Sequence, residues 1–278
     1  MKRKLFCEIS PFAYRISRRK NILLRCIRDF FHRNHFAKEK SDEKLPVLIY
    51  EHSSLIRRTL GNVDLQLQEN KATNLSLAAP KVTGITIRPG EVFSFWRLVG
   101  STSAKKGYKE GLTISNGTAK AGIGGGMCQF TNLIHWMVLH TPFEIVEHHH
   151  HDQYDLFPDF NRQIPFGTGT SVAYNYLDYR FKNTTQNTFQ LIAYVTDTHL
   201  CGELRSSAPL DVKFHIHIEG ERFIREGDYV FREGKIYRSQ IDKKTGNVLS
   251  RELIRTNHAK VLYDTKNLTI EADPVGQI

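Results

Sequence analysis

The 278-residue chain has no run of about 18 apolar residues, which excludes a transmembrane helix. The N-terminus is basic at Lys2, Arg3 and Lys4 but lacks the apolar stretch of a secretory signal, so a cytoplasmic protein is expected. Cysteine is scarce: Cys7, Cys26, Cys128 and Cys201 form no C-x-x-C pair and are too scattered for a disulfide framework. Reduced thiols able to pack as small hydrophobes are the expectation. The glycine run around Gly125 lacks the Gly-Lys-Ser/Thr ending of a phosphate loop, and no βαβ alternation precedes it. Disorder over most of the length is excluded by a composition of 40% hydrophobic and 24% charged residues.

Positive charge is plentiful but confined. Met1 to Lys44 holds thirteen Lys and Arg against five Asp and Glu, a net +8 of the chain's +10. The remainder is close to neutral, so no nucleic-acid partner is expected. Asn21 to His32 places Ile22, Leu23, Cys26, Ile27 and Phe30 on one helical face, with Arg25 and Arg28 elsewhere. Such a basic, partly helical extension could make weak contact with a membrane surface, although these faces more often pack onto their own domain.

Ala37 to Lys44 reads as a charged linker, Leu45 to Leu60 as a segment that includes a helix, and Asn74 to Ala79 as a short helix stopped by Pro80. Ile85 and Ile87 alternate with Thr86 and Arg88, Pro89-Gly90 turns, and Val92, Phe93, Phe95 and Trp96 cluster. Asn116-Gly117 marks a tight turn. Phe130, Leu133, Ile134, Met137 and Val138 give Cys128 to His140 a helical period that Thr141-Pro142 ends. Phe143 to Glu147 reads as a strand, and Ser171 to Lys182 and Thr188 to Thr198 as paired strands. Beyond Leu210 the chain is almost all strand, with turns at Glu219-Gly220-Glu221 and Lys244 to Asn247.

The most unusual stretch is Gly122-Ile123-Gly124-Gly125-Gly126-Met127-Cys128-Gln129. Glycines let a main chain approach a ligand closely, and the first turn of the helix that follows offers unpaired N–H groups. A cysteine placed there is expected to have its thiolate favoured. Cys128 is thus a candidate nucleophile, with Gly124, Gly125, Gly126 and Gln129 as candidate substrate-binding residues. Against this stands the plainer reading, a tight glycine corner with Cys128 packed in the core. His135 and His140 lie on the Cys128 helix itself, His135 about 10 Å along it, so a base must come from elsewhere. The run His148-His149-His150-His151 after the Phe143–Glu147 strand is the obvious supplier. Residues two apart on a strand share a side, so His149 and His151 could both face Cys128, oriented by Glu147 or Asp152. Histidines that alternate sides, with no second cluster at ligand spacing, argue against a native metal site, and no cofactor is expected. Arg162 and Asp178 are further charged candidates.

Asn74-Leu75-Ser76-Leu77-Ala78-Ala79-Pro80, Pro89-Gly90-Glu91-Val92-Phe93-Ser94-Phe95-Trp96, Gly107-Tyr108, the cysteine motif, Val146 to His151, Tyr174-Asn175-Tyr176 and Leu191 to Leu204 resemble, in order, the VanW family. The resemblance spans roughly Leu45 to Leu204. It implies a link to glycopeptide-resistance clusters and cell-wall proteins, and, from exported members, L,D-transpeptidase-type cross-linking through the motif cysteine, here Cys128. Many members read Glu-Arg-His-x-His-Ser where this chain has Glu147 to Asp152. That sets His149 and His151 on the motif histidines, His148 on the arginine and Asp152 on the serine. The carboxylate that other members carry in a Gly-x-Asp is replaced here by Gly167-Thr168-Gly169.

The expected fold is α+β: mainly antiparallel sheet packed on a central helix that follows the Gly-rich loop, with an N-terminal helical extension (1–44), a VanW-like domain (45–204) and a small β-rich C-terminal unit (205–278). The expected function is thiol-dependent acyl or peptidyl transfer on a peptidyl cell-wall precursor, with His149 or His151 as base. The alternative is a non-enzymatic protein whose glycine loop holds an anionic wall precursor or a protein partner.

Overall fold

A computed structural model describes residues 5–32, 35–57, 64–115, 118–150, 153–156, 158–159 and 164–272. Helices α1 (Phe6–Ile9) and α2 (Pro11–Phe31) open the chain; Ser10 caps α2 by accepting from the Ala13 N–H, with Pro11 in the first turn. Strand β1 (Val47–Leu55) and helix α3 (Leu65–Val82) follow, then β2 (Ile85–Ile87), β3 (Val92–Ser94) and the short α4 (Phe95–Val99). The hairpin β4 (Glu110–Ser115) and β5 (Thr118–Ile123) leads into α5 (Met127–Leu139). Strands β6 (Glu144–Glu147), β7 (Tyr154–Asp155), β8 (Arg180–Lys182), β9 (Phe189–Val195) and β10 (His199–Ser206) complete the central region. The long strands β11 (Val212–Glu226), β12 (Tyr229–Asp242) and β13 (Val248–Val261) and the short β14 (Ile270–Ala272) close the described chain.

The fold is α+β, and its sheets are mostly antiparallel. The sheet β1-β10-β9-β2 carries α5 against β1 and β10 and α3 against β9. Leu75, Phe130, Ile134, Phe181 and Leu191 meet in the resulting core, each essentially inaccessible. Because α5 buries nearly all its sides, its N-terminus is held rigidly where the glycine loop delivers it. Strands β3-β8-β6 form a second small sheet, and β14-β11-β12-β13-β7 a third. This third sheet takes β7 from the middle of the chain and sends Asn257 back to donate to the Phe166 carbonyl at 3.0 Å.

Several expectations are corrected. Within Leu45 to Leu60 the described elements contain a strand instead of a helix, because Val47 to Leu55 pairs with β10 along its length. Helix α3 is far longer than Asn74 to Ala79 and runs through Pro80, which lies in its last turn, where losing one N–H ends the helix only two residues later. Ala37 to Lys44 is no free linker: Ala37 N–H donates to the Val92 carbonyl and Ser41 N–H to that of Gly84, both at 2.9 Å. Of Ser171 to Lys182 only β8 is strand. Asn175 turns the chain with φ 47°, and β8 pairs with β3 and β6, whereas β9 pairs with β10 and β2. Glu219-Gly220-Glu221 forms a bulge within β11, not a turn between strands. The Asn116-Gly117 tip lies outside the described residues, between the paired β4 and β5.

The N-terminal extension is bolted to the domain. Asp29 accepts from both terminal nitrogens of Arg180 at 2.9 and 2.6 Å, and both side chains are buried. Removing Asp29 takes both bonds from the terminal nitrogens of buried Arg180, while Asp178 still accepts from its Nε at 2.7 Å. Asp29→Ala is therefore expected to lower unfolding stability by about 1–3 kcal/mol, measurable as a shifted urea midpoint.

Candidate functional site

The glycine corner is built by close packing. A Cβ on Gly125 would sit 2.3 Å from the carbonyl carbon of Gly111, and Gly126 adopts φ 108°, a left-handed value that L side chains avoid. Gly124, with φ 81°, would meet the Thr102 side chain at 2.4 Å. Asn74 pins the corner: its amide donates to the carbonyls of Gly125 and Lys109 at 2.9 and 3.0 Å and accepts from the Lys109 N–H at 2.8 Å. Gly126 caps α5 without any side-chain hydrogen bond, which leaves the first-turn N–H groups of α5 without a side-chain cap.

Cys128 occupies the second position of α5, half-buried, at a cavity of about 1170 Å³. Asn132, one turn further along α5, lines the same cavity. The loop Gly167 to Thr170 crosses over this turn. Thr170 N–H and Oγ1–H both donate to Asn132 Oδ1, at 2.6 and 2.8 Å. Further along, Val172 also lines the cavity. Burial pushes the Cys128 thiol up, and the N–H groups of Val172 and of Cys128 itself pull the other way without overcoming it. This direction runs against the favoured thiolate expected from a helix start.

The four histidines divide by side. His149 Nε2–H donates to Glu147 Oε1 at 2.9 Å, on the side of the chain that faces α2. His148 and His150 turn the other way. His148 stacks on buried His135 with ring centroids 4.3 Å apart and donates through Nε2 to the Gly169 carbonyl at 2.9 Å. His150 lines the Cys128 cavity. Its Nε2 would lie 3.4 Å from a Cβ on Gly169, and Asn132 Oδ1 would lie 3.8 Å from the same point. His135, held well below the usual histidine pKa by burial and by nearby His148 and His150, bonds to the Tyr179 hydroxyl at 3.0 Å.

The residues predicted from sequence separate accordingly. Cys128 and Gly124 to Gln129 surround the cavity, although Gln129 is occupied in tying α5 to β1, donating to Ser54 Oγ and the Leu55 carbonyl at 2.9 Å each. Neither His149 nor Glu147 is among the described residues lining the cavity. Glu147 instead accepts two bonds from Arg25 of α2 and one from the Asp178 N–H. Asp178 is fully buried and serves Ser94, Trp96 and Arg180. His151, Asp152 and Arg162 lie outside the described residues. Sequence reasoning named the histidine run but chose His149 and His151 over His150, and it missed Asn132 and Thr170. Asn132 had a signal in its i+4 spacing from Cys128.

Burial alone would raise the Glu147 carboxyl, but hydrogen bonds from His149, Arg25 and the Asp178 N–H hold it at about 2. A carboxyl depressed in the folded state stabilises fully above its ordinary value near 4.5, and that contribution fades as pH falls toward 2. The wild-type advantage over Glu147→Gln in unfolding experiments is expected to be constant above about pH 5 and to shrink progressively below it.

A family model described as VanW like protein matches residues 70–205. The Vancomycin B-type resistance protein VanW of Enterococcus faecalis is 32% identical over 228 residues, 82% of each chain. The Uncharacterized protein YoaR of Bacillus subtilis is 30% identical over 118 residues, 41% of this chain and 36% of that protein. No solved structure matches. Likeness that runs across four-fifths of a whole relative, with the family match enclosing the glycine corner, Cys128 and the histidine run, places this chain in the VanW family.

Proposed function

We propose that the protein is a cysteine acyltransferase acting on peptidyl cell-wall precursors, in a setting related to the vancomycin resistance for which its Enterococcus relative is named. The observation that carries this reading is that Cys128, Asn132 and His150 all line one cavity at the N-terminus of α5. Cys128 is the nucleophile. Because burial pushes the thiol up, a base must remove its proton as the sulfur attacks. His150 fills that role, and Asn132, fixed by Thr170, orients the base side of the cavity.

In the first step Sγ bonds to the donor carbonyl and the thiol proton passes to His150. Collapse of the tetrahedral adduct breaks the donor amide, and His150 returns the proton to the departing amine. An acceptor amine then attacks the thioester, losing its proton through His150 and restoring the thiol. The first-turn N–H groups of α5 stabilise the oxyanion. A peptide donor ending in a D-amino acid, incubated with a second labelled D-amino acid, is expected to exchange its terminal residue. No exchange and no cross-linking with any such donor would overturn the reading.

One observation favours a second reading, a binding protein without turnover: the same burial that raises the thiol suits a packing cysteine. Alkylation separates the two. In the transferase, iodoacetamide labelling of Cys128 rises with pH through a midpoint above that of an ordinary thiol, yet His150→Ala slows labelling at neutral pH. In the binding protein Cys128 is inert throughout.

A further inference from the structure

We infer that α2 is an interfacial helix that seats the protein on an anionic lipid surface, with the Cys128 cavity beside the bilayer. At ~100° per residue, Phe12, Ile16, Leu23, Ile27 and Phe30 fall within about 60° of one another around α2. All five are exposed, Phe12 at 66% and Leu23 at 60%. A contiguous exposed apolar stripe of five large side chains marks an interaction surface. The helix cannot roll to hide the stripe, because its other side is fixed by Arg25 on Glu147 and the Tyr176 carbonyl and by Asp29 on Arg180.

Charge selects the occupant. Arg15, Arg18, Arg19, Lys20 and Arg28 of α2 are exposed, while its single acidic residue, Asp29, is buried. Arg19 and Lys20 fall on the two edges of the apolar stripe, where long cationic side chains can reach headgroups as the apolar residues enter the acyl boundary. A second copy docked stripe to stripe would bring these cations together with no exposed carboxylate of α2 to meet them. An anionic bilayer meets both the stripe and its rims.

Placement gives the surface a use. Tyr14 and Arg18, on the side of α2 away from the stripe, line the Cys128 cavity. A lipid-seated α2 therefore holds the cavity one helix diameter, about 10 Å, from the bilayer, within reach of a peptidyl precursor carried on a lipid. That last point rests on the acyltransferase reading; the lipid contact itself does not, and Cys128→Ala is expected to bind vesicles as the wild type does.

The test is co-sedimentation of the full chain with phosphatidylcholine vesicles, with and without phosphatidylglycerol, at low and high salt. Binding is expected with phosphatidylglycerol at low salt, weaker by roughly tenfold or more without it or at high salt. Ile16→Asp/Leu23→Asp/Ile27→Asp is expected to lose roughly tenfold or more while keeping the wild-type circular dichroism and melting temperature. Phe12→Trp should show a blue-shifted emission on mixing with the anionic vesicles. No binding to anionic vesicles, equal binding by the triple variant, or a stable dimer that ignores vesicles would overturn the inference.

Discussion

Cys128→Ala is expected to abolish terminal exchange on a D-amino-acid donor, by a factor on the order of 10⁴ or more. On the proposed acyltransferase reading, such a loss follows from removing the group that would form the covalent intermediate. Cys128 makes little of the framework. The corner is held by Asn74, by the close approach of Gly125 to Gly111 and by the packing of α5. The variant should therefore unfold within about 1 kcal/mol of the wild type. Equal exchange by Cys128→Ala would remove the sulfur from the chemistry altogether. A variant that lost both exchange and folding would show Cys128 to be a packing residue.

Replacing His150 by alanine is expected to cost on the order of 10²–10⁴ in turnover, whereas His149→Ala should leave turnover nearly unchanged and loosen α2. The two histidines are adjacent in sequence and have opposite partners. His149 donates to Glu147, which also receives Arg25 of the N-terminal helix. His150 faces Gly169 and Asn132 inside the cavity. Because the Cys128 thiol is pushed up by burial, removing its base should be felt most at neutral pH and partly rescued by raising pH. A His149→Ala loss equal to that of His150→Ala would reverse the assignment.

The pairing of histidines shows what a sequence of this kind can and cannot carry. Glu147 and His149 face α2 together, and His148 and His150 turn the other way. The alternation that suggested His149 and His151 as a pair thus sets His149 away from the cavity, with His151 outside the described residues. Which pair turns inward depends on the register of β6 against β8, and a bulge between Ile145 and Glu147 sets it. No spacing rule contains that bulge. The periodicity of α5 was legible because its apolar residues recur at i, i+3 and i+4, and the strand-rich C-terminus because alternation persists there. Strand β1 was not, since its paired apolar residues mimic a helix until β10 is laid beside them.

The electrostatics failed for a related reason. A cysteine behind a glycine loop at a helix start suggests a favoured thiolate, yet the chain from Gly167 to Thr170 crosses that start and burial pushes the thiol up. This cover comes from 40 residues downstream and leaves no local trace. Asp29 likewise looks like one acidic residue in a basic tail, until Arg180 is found buried against it.

Intact-protein mass spectrometry after mixing with a peptide donor ending in a D-amino acid tests the central assignment most directly. The wild type should gain the mass of the donor less its leaving amine, and tryptic digestion should place that adduct on the peptide containing Cys128. His150→Ala should accumulate that adduct far more slowly. No adduct on Cys128, under conditions where the donor demonstrably occupies the cavity, would contradict the acyltransferase and leave a binding protein with a glycine corner.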